Sequence, residues 1–194
     1  MSASHNAYLA RHGATEWSIS GQHTGRTDMP LTAEGEAMAR RLGESLKGLE
    51  FARVFSSPLI RAWRTCGIAG FGERAERDPD LMEWNYGSYE GLTTREIKSK
   101  NPNWDLFRDG CPGGESVAEI TARADRALAR IRSSPGPVLV FSSGHFLRVL
   151  AVRWCGLDAT YARHLLLDTG TLSILGYAHG EASEPAIKIW NRPS

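Results

Sequence analysis

Apolar positions recur along this chain in two periods. Asn6 to Ala10 is a short apolar run that reads as a buried strand, and Arg53 to Ser56 is a second. Val138 to Phe141 is the clearest buried strand, and Leu172–Gly176 and Ala186–Trp190 read as two closing strands suited to a hairpin. Between them the period changes to that of helices. Met38, Leu42 and Leu46 lie on one face of a helix from a Thr32 cap to about Lys47, and Ala62, Cys66 and Ala69 on one face of a helix over 59–69. A short helix is predicted over 93–99. Ser116 and Glu119 form a capping box that opens a helix through Val117, Ile120, Ala124, Leu128 and Ile131, which Pro135-Gly136-Pro137 stops. Phe146 to Cys155 gives a last helix. Leu81 to Gly91 is irregular and rich in aromatic residues, as a site-forming loop would be. The alternation predicts an α/β fold, a three-layer α/β/α sandwich around a mainly parallel sheet. With no repeat, low-complexity tract or long linker, residues 1–194 read as a single domain.

Composition narrows the function classes. The formal net charge of +1 over 194 residues gives no global attraction to nucleic acid or an anionic membrane, so an anion site must come from local clustering. Cys66, Cys111 and Cys155 are odd in number and form no Cys-x-x-Cys pattern, which points to free thiols in a reducing compartment. No basic leader precedes an apolar run at the amino terminus, and no apolar stretch approaches the ~18 residues of a membrane span. A cytoplasmic protein is expected. A homo-oligomer is left open.

Candidate chemistry gathers at strand ends. Arg11-His12-Gly13 follows the first strand, where Gly13 allows a sharp turn and a ligand's close approach. His12 there is a candidate nucleophile toward phosphorus, and Arg11 offers a planar fork of donors for phosphate oxygens. Alone, the tripeptide would be a surface pair in a turn. Arg61 comes next, in the first turn after Ser56-Ser57-Pro58-Leu59, as a second arm of a phosphate clamp. Glu83 sits among aromatic side chains, where desolvation favours a protonated carboxyl able to act as general acid. Glu90 competes for that role, although pairing with an arginine suits it better. Last, Ser142-Ser143-Gly144-His145 opens a helix after the strand at Val138, which again suits an anion. Gly70-x-Gly72-x-x-Ala75 follows a helix where a dinucleotide fingerprint needs a strand, and is read as chance.

In this order the clusters resemble the histidine phosphatase superfamily, the clan of cofactor-dependent phosphoglycerate mutases, over nearly the whole chain. The sedoheptulose-1,7-bisphosphatase type is the nearest likeness. It rests on Thr15-Glu16-Trp17-Ser18-x-Ser20-Gly21-Gln22-x-Thr24-Gly25, Thr27-Asp28-x-Pro30-Leu31-Thr32, Glu83-Trp84-x-Tyr86-Gly87-x-Tyr89-Glu90-Gly91, Arg108-Asp109-Gly110-Cys111 and Gly144-His145-x-Leu147-Arg148. The resemblance implies His12 as the phosphorylated nucleophile, Arg11 and Arg61 as phosphate arginines and Glu83 as the acid. It also implies a substrate pocket lined by Ser18, Thr24, Gly25 and Tyr86. The substrate it implies is a small phosphorylated compound, a sugar (bis)phosphate. No metal or cofactor is expected, since arginines supply the charge.

One position departs from the pattern. The superfamily's His-Gly-x-x-x-Arg would place a histidine where Ser143 stands, and His145 matches a histidine that sugar-bisphosphatase relatives carry two positions later. Both are candidate phosphate-binding residues. Lower turnover, a shifted substrate and an engineered trap all stay open. Two rival readings follow: a phosphoglycerate mutase, whose longer basic insertion the segment 93–114 lacks, and a phosphate-ligand binder with little turnover.

Overall fold

Strand β4 (Val138–Ser142) is the buried spine of the fold, because none of its five residues reaches solvent. The structure, a computed structural model, describes residues 5–194. Residues 1–4, part of the segment read as lacking a leader, lie outside the described residues.

On one side β4 pairs in parallel with β1 (Ala7–Arg11), and on the other with β2 (Arg53–Ser56). Parallel to β2 runs β3 (Ala75–Arg77), while β5 (Thr171–Tyr177) lies antiparallel to β1 and β6 (Pro185–Pro193) antiparallel to β5. The sheet order is β3-β2-β4-β1-β5-β6. The closing strands thus pair as a hairpin, as their alternation suggests.

Period-two alternation divides the core. Leu9, Val138 and Val140 face a cluster built with Ile120, Ala124 and Leu128 of α6 (Val117–Arg132) and with Phe146, Leu150 and Trp154 of α7 (Gly144–Trp154). Ala10, Leu139 and Phe141 face the opposite cluster, where Leu42 of α2 (Ala33–Ser45), Leu46 just after it, and Cys66 of α3 (Ile60–Ile68) pack. This is the three-layer arrangement.

Four details differ from the sequence expectation. The buried face of α2 is Gly35, Ala39 and Leu42; Met38 is only half-buried. Helix α7 begins at Gly144, two residues early, for a reason that belongs to the site. Two helices without a long apolar stripe, α1 (Glu16–Ser20) and α5 (Leu106–Asp109), were not predicted. Nor was β3, whose residues are half-buried or exposed; pairing to β2 rather than alternation makes it a strand. The predicted short helix is α4 (Thr94–Lys100), opened by a capping box between Thr93 and Glu96. Among the described residues no helix is long and apolar enough to cross a membrane.

Candidate active site

Four parallel strands end at one edge of the sheet, and the candidate chemistry follows their carboxyl ends. Arg11 is in register with Ser142, and the His12 amide donates to the Ser142 carbonyl at 3.0 Å. Immediately after β1, the His12 ring is buried with Nδ1 2.8 Å from the Gly13 carbonyl. A carbonyl can only accept, so Nδ1 carries the proton and Nε2 keeps its lone pair. Burial, followed by the charges of Arg61 and Arg11, holds this imidazole well below its ordinary range. It is neutral at pH 7.

The reason for Gly13 differs from the expected one. A Cβ there would lie 2.1 Å from the Gly35 carbonyl oxygen, and one on Gly35 would lie 2.1 Å from that of Ala14. Two glycines set face to face let the His12 turn press against the start of α2; the close approach is by backbone, not by ligand. The Gly13 amide also donates to Thr65 Oγ1, which donates to the Arg61 carbonyl, tying the turn to α3.

Arg61 corrects the picture of a free clamp arm. It is wholly buried, and its Nη atoms donate to the carbonyls of Thr27 at 3.0 Å and of Thr24 and Gly25 at 2.8 Å. Only Nε has no partner. Arg11 donates through Nη1 to the Leu167 carbonyl and likewise has Nε unpaired. Its guanidinium lies against α7: a Cβ on Gly144 would stand 3.1 Å from Arg11 Cζ. Among the described residues the buried side-chain atoms without a partner are Arg11 Nε, Arg61 Nε and Ser143 Oγ. Each such donor costs ~1–3 kcal/mol until something accepts from it. An oxyanion is the natural acceptor.

Glu83 is buried, yet it is not stripped of polar partners as its aromatic surroundings suggest. Oε1 accepts from the amides of Trp84 at 2.9 Å and Phe146 at 2.8 Å, and Oε2 from that of His145 at 3.0 Å. His145 and Phe146 belong to the first turn of α7, where amides otherwise go unpaired. Ser143 is the N-cap of α7 but makes no side-chain cap. The Glu83 carboxylate does that work, which lets the helix start at Gly144.

Above these groups opens a cavity of about 230 Å³, lined by Arg11, His12 and Glu83 at its floor and by Ser18, Thr24, Tyr86 and His145 among its walls. Ser143 and Arg61 are not on its surface; they sit behind it. Gly25 is a correction: it does not line the cavity but is packed beneath, where a Cβ would meet Glu90 Oε2 and the Trp84 carbonyl at 2.5 Å. Among the described residues Glu90 forms no ion pair with an arginine; its Oε1 accepts from the amides of Gly25 and Thr27. Tyr86 Oη lies 2.5 Å from His145 Nδ1. Burial, then the charge of Glu83, raises the phenol well above its ordinary value, and burial, then Arg148, lowers the imidazole. The phenol is therefore the donor and the proton of His145 sits on Nε2. His145 Nδ1 is 4.0 Å from Glu83 Oε2, a contact without ion-pair character while the ring is neutral.

Sequence reasoning left several lining residues without a role, among them His23, Arg148 and Thr94. His23 lies tilted against Tyr86 with ring centres 4.7 Å apart, and its imidazole is pushed down to about 4, chiefly by burial. Arg148 lies with its guanidinium 4.7 Å from the Phe107 ring, and Thr94 heads α4 at the cavity rim. His23 stands unassigned inside the motif from Gly21 to Gly25, and that was its only signal.

The family model of the histidine phosphatase superfamily (branch 1) matches residues 7–192. The chain belongs to this superfamily. It is 41% identical over 193 residues to an acid phosphatase of Mycobacterium tuberculosis, covering 97% of this chain and 95% of that protein. It is also 37% identical over 245 residues to the sedoheptulose 1,7-bisphosphatase of Saccharomyces cerevisiae, covering 93% and 90%. The solved structure of the open reading frame Rv3214 from Mycobacterium tuberculosis superimposes with a TM-score of 0.89 at 37% identity, over 97% of this chain and 98% of that one. This histidine phosphatase is a phosphoric monoester hydrolase, and its fold is that of the superfamily.

Proposed function

We propose that this histidine phosphatase hydrolyses a small sugar phosphate or bisphosphate through a phosphohistidine on His12. The observation that carries the reading is the tautomer of His12: with Nδ1 donating to the Gly13 carbonyl, the Nε2 lone pair is available in a cavity that also holds Arg11 and Glu83. Nε2 attacks phosphorus in line, and the bond to the sugar oxygen breaks. Arg11, which lines the cavity, takes the phosphoryl oxygens as charge builds on them, and the unpaired Arg61 Nε and Ser143 Oγ behind the lining become further donors once the phosphoryl group is seated. Arg61 acts from behind the wall, through one donor and its charge. In the substrate complex Glu83 carries a proton, brought in by the phosphate monoanion, and it gives this proton to the departing sugar oxygen. It then takes a proton from the water that attacks the phosphohistidine, releasing inorganic phosphate and restoring neutral His12.

Ser143 takes the place of the imidazole that the superfamily pattern puts at the end of β4. A serine supplies a neutral hydroxyl where an imidazolium would supply charge, so this pocket runs with one cation fewer. The sugar part of the reading is supported by the yeast bisphosphatase relative. It also fits the polarity of the cavity. At about 230 Å³ it lies below the usual ~300–1,000 Å³ of ligand sites, and Ser18, Gln22 and Thr94 offer hydroxyls and an amide to a hydroxylated leaving group.

The mutase reading is disfavoured by a specific observation. Of the segment 93–114 only Thr94 lines the cavity, while Arg95, Lys98 and Lys100 are exposed and Arg108 pairs with Asp109. The test is phosphate release from a panel of phosphosugars alongside interconversion of 2- and 3-phosphoglycerate. Phosphate release is expected, with an acid-labile phosphoenzyme that His12→Ala abolishes. Interconversion without release, or binding of sugar bisphosphates without either, would replace the proposal.

A further inference from the structure

Arg123 is an arginine in the apolar stripe of α6, flanked by Ile120 and Ala124 and only 5% exposed. A guanidinium has five N–H donors, and here each has an acceptor. Nε donates to Glu115 Oε1 and Nη2 to Glu115 Oε2, both at 2.8 Å, as a two-pronged pair. The remaining donors reach the carbonyls of Asp80 at 2.7 Å, Met82 at 2.5 Å and Glu83 at 3.2 Å.

Glu115 holds the same loop by its other groups. Oε2 also accepts from the Asn85 amide at 2.8 Å, its carbonyl accepts from Trp84 Nε1 at 2.9 Å, and its amide donates to the Asn85 carbonyl at 2.8 Å. The backbone on both sides of Glu83 is thus fastened to one ion pair between a buried arginine and a half-buried glutamate. The Arg123 guanidinium also lies 4.7 Å from the centre of the Phe146 ring, and Phe146 supplies an amide to the Glu83 carboxylate. Pair and carboxylate share one frame.

We propose that Arg123, locked by Glu115, is a positioning residue that sets the Glu83 carboxyl for proton transfer to the leaving oxygen. This rests on the reading of Glu83 as the acid. Hydrophobic packing of α6 does not call for an arginine here, since a buried ion pair is weak ground for stability. The geometry calls for a planar fork; a lysine, with three donors at one point, cannot hold a carboxylate and three carbonyls together.

Leaving-group dependence separates positioning from mere structure. p-Nitrophenyl phosphate expels an acidic phenol that needs no proton, whereas glycerol phosphate expels an alkoxide that does. The quantity to compare is kcat/KM, which reports the step that breaks the ester bond, for the unaltered protein, Glu83→Gln, Arg123→Lys and Glu115→Gln. Misplacing a catalytic group by about 1 Å can cost on the order of 10²-fold, and Arg123→Lys is expected to lose about that on glycerol phosphate but under about 3-fold on p-nitrophenyl phosphate. Inhibition by inorganic phosphate should be unchanged, because the phosphate donors are elsewhere. Equal losses on both substrates, or none, would overturn the proposal. Should Arg123→Lys not fold, Glu115→Gln keeps the arginine and its three carbonyls while loosening the fork; a ratio of the two rates equal to that of the unaltered protein then overturns it. Glu83→Gln marks where failure lies. If that variant loses both substrates equally, the acid role falls and the brace with it; if it is selective and Arg123→Lys is not, only the brace falls.

Discussion

Glu83 caps helix α7 in place of Ser143. The carboxylate comes from a loop distant in sequence and takes the amides of His145 and Phe146, while the serine at the N-cap keeps its hydroxyl unpaired and buried. One group therefore serves two ends. It holds the helix terminus beside His12, and it releases a hydroxyl for the phosphoryl oxygens.

Ser143→Ala should accordingly behave unlike an ordinary capping variant. Losing a serine cap costs ~0.5–2 kcal/mol in other helices. Here no cap is lost and a buried unpaired hydroxyl is removed. Thermal unfolding should therefore show the variant no less stable than the unaltered protein, and more stable by up to ~1–3 kcal/mol. Affinity for inorganic phosphate should instead fall by roughly 10- to 100-fold, the worth of a hydrogen bond to a charged group. Ser143→His should raise turnover, by up to about 10²-fold if its ring acts as a full transition-state donor. Steady-state phosphate release and phosphate inhibition check both. A histidine variant that gains neither turnover nor phosphate affinity would remove Ser143 from the phosphoryl pocket.

Gly13→Ala drives a methyl group into the Gly35 carbonyl, 2.1 Å away across two backbones. Neither backbone can yield without moving the His12 turn or the start of α2. Overpacking costs ~1–3 kcal/mol, and the melting temperature should fall accordingly. Phosphate release should fall further than stability explains, because the nucleophile rides on the displaced turn. A crystal structure of the variant with His12 unmoved would contradict the account.

Much of this was legible in the sequence. β4, β1 and the long helices announce themselves by period, and Arg11, His12 and Glu83 stand where the motifs put them. What was not legible depends on pairing across the chain. β3 has no apolar alternation and exists because β2 offers it hydrogen bonds. Arg61 reads as the second arm of a phosphate clamp from its place in a helix, whereas only the tertiary structure reveals the three carbonyls on its Nη atoms. Gly25 sits in a site motif yet supports the wall from behind. His23 was hidden by its neighbours, since a buried neutral histidine has no local signature.

The burial that keeps His12 neutral should be visible in the pH dependence of kcat/KM. An unperturbed imidazole would lose its nucleophilic lone pair as pH falls through about 6.5. His12 is held well below that value by burial and by Arg61 and Arg11, so the nucleophile itself stays competent in acid. The acid limb should fall well below pH 6.5, and weakening the Arg61 charge by Arg61→Gln should move it upward. A limb at 6.5 in the unaltered protein would show a solvated His12.

Stability should follow a related rule with a sign that can be fixed in advance. Folded His23 takes a proton only near pH 4, chiefly because it is buried, whereas in the unfolded chain it takes one at its ordinary 6.5. Between those values the unfolded state binds more protons, so acidification favours unfolding. Nothing is lost above pH 6.5, and the loss is complete near pH 4. At about 1.4 kcal/mol per pH unit, His23 alone removes on the order of 3 kcal/mol over that window, with His12 and His145 adding to it in the same direction. Ordinary carboxylates enter only below about pH 5, so the upper half of the window belongs to the histidines. Denaturant unfolding between pH 7 and 5 should show a falling midpoint, and His23→Gln should flatten that slope while leaving carboxylate behaviour at lower pH unchanged. An unaltered slope in the variant would mean that the folded protein protonates His23 as easily as the unfolded chain does.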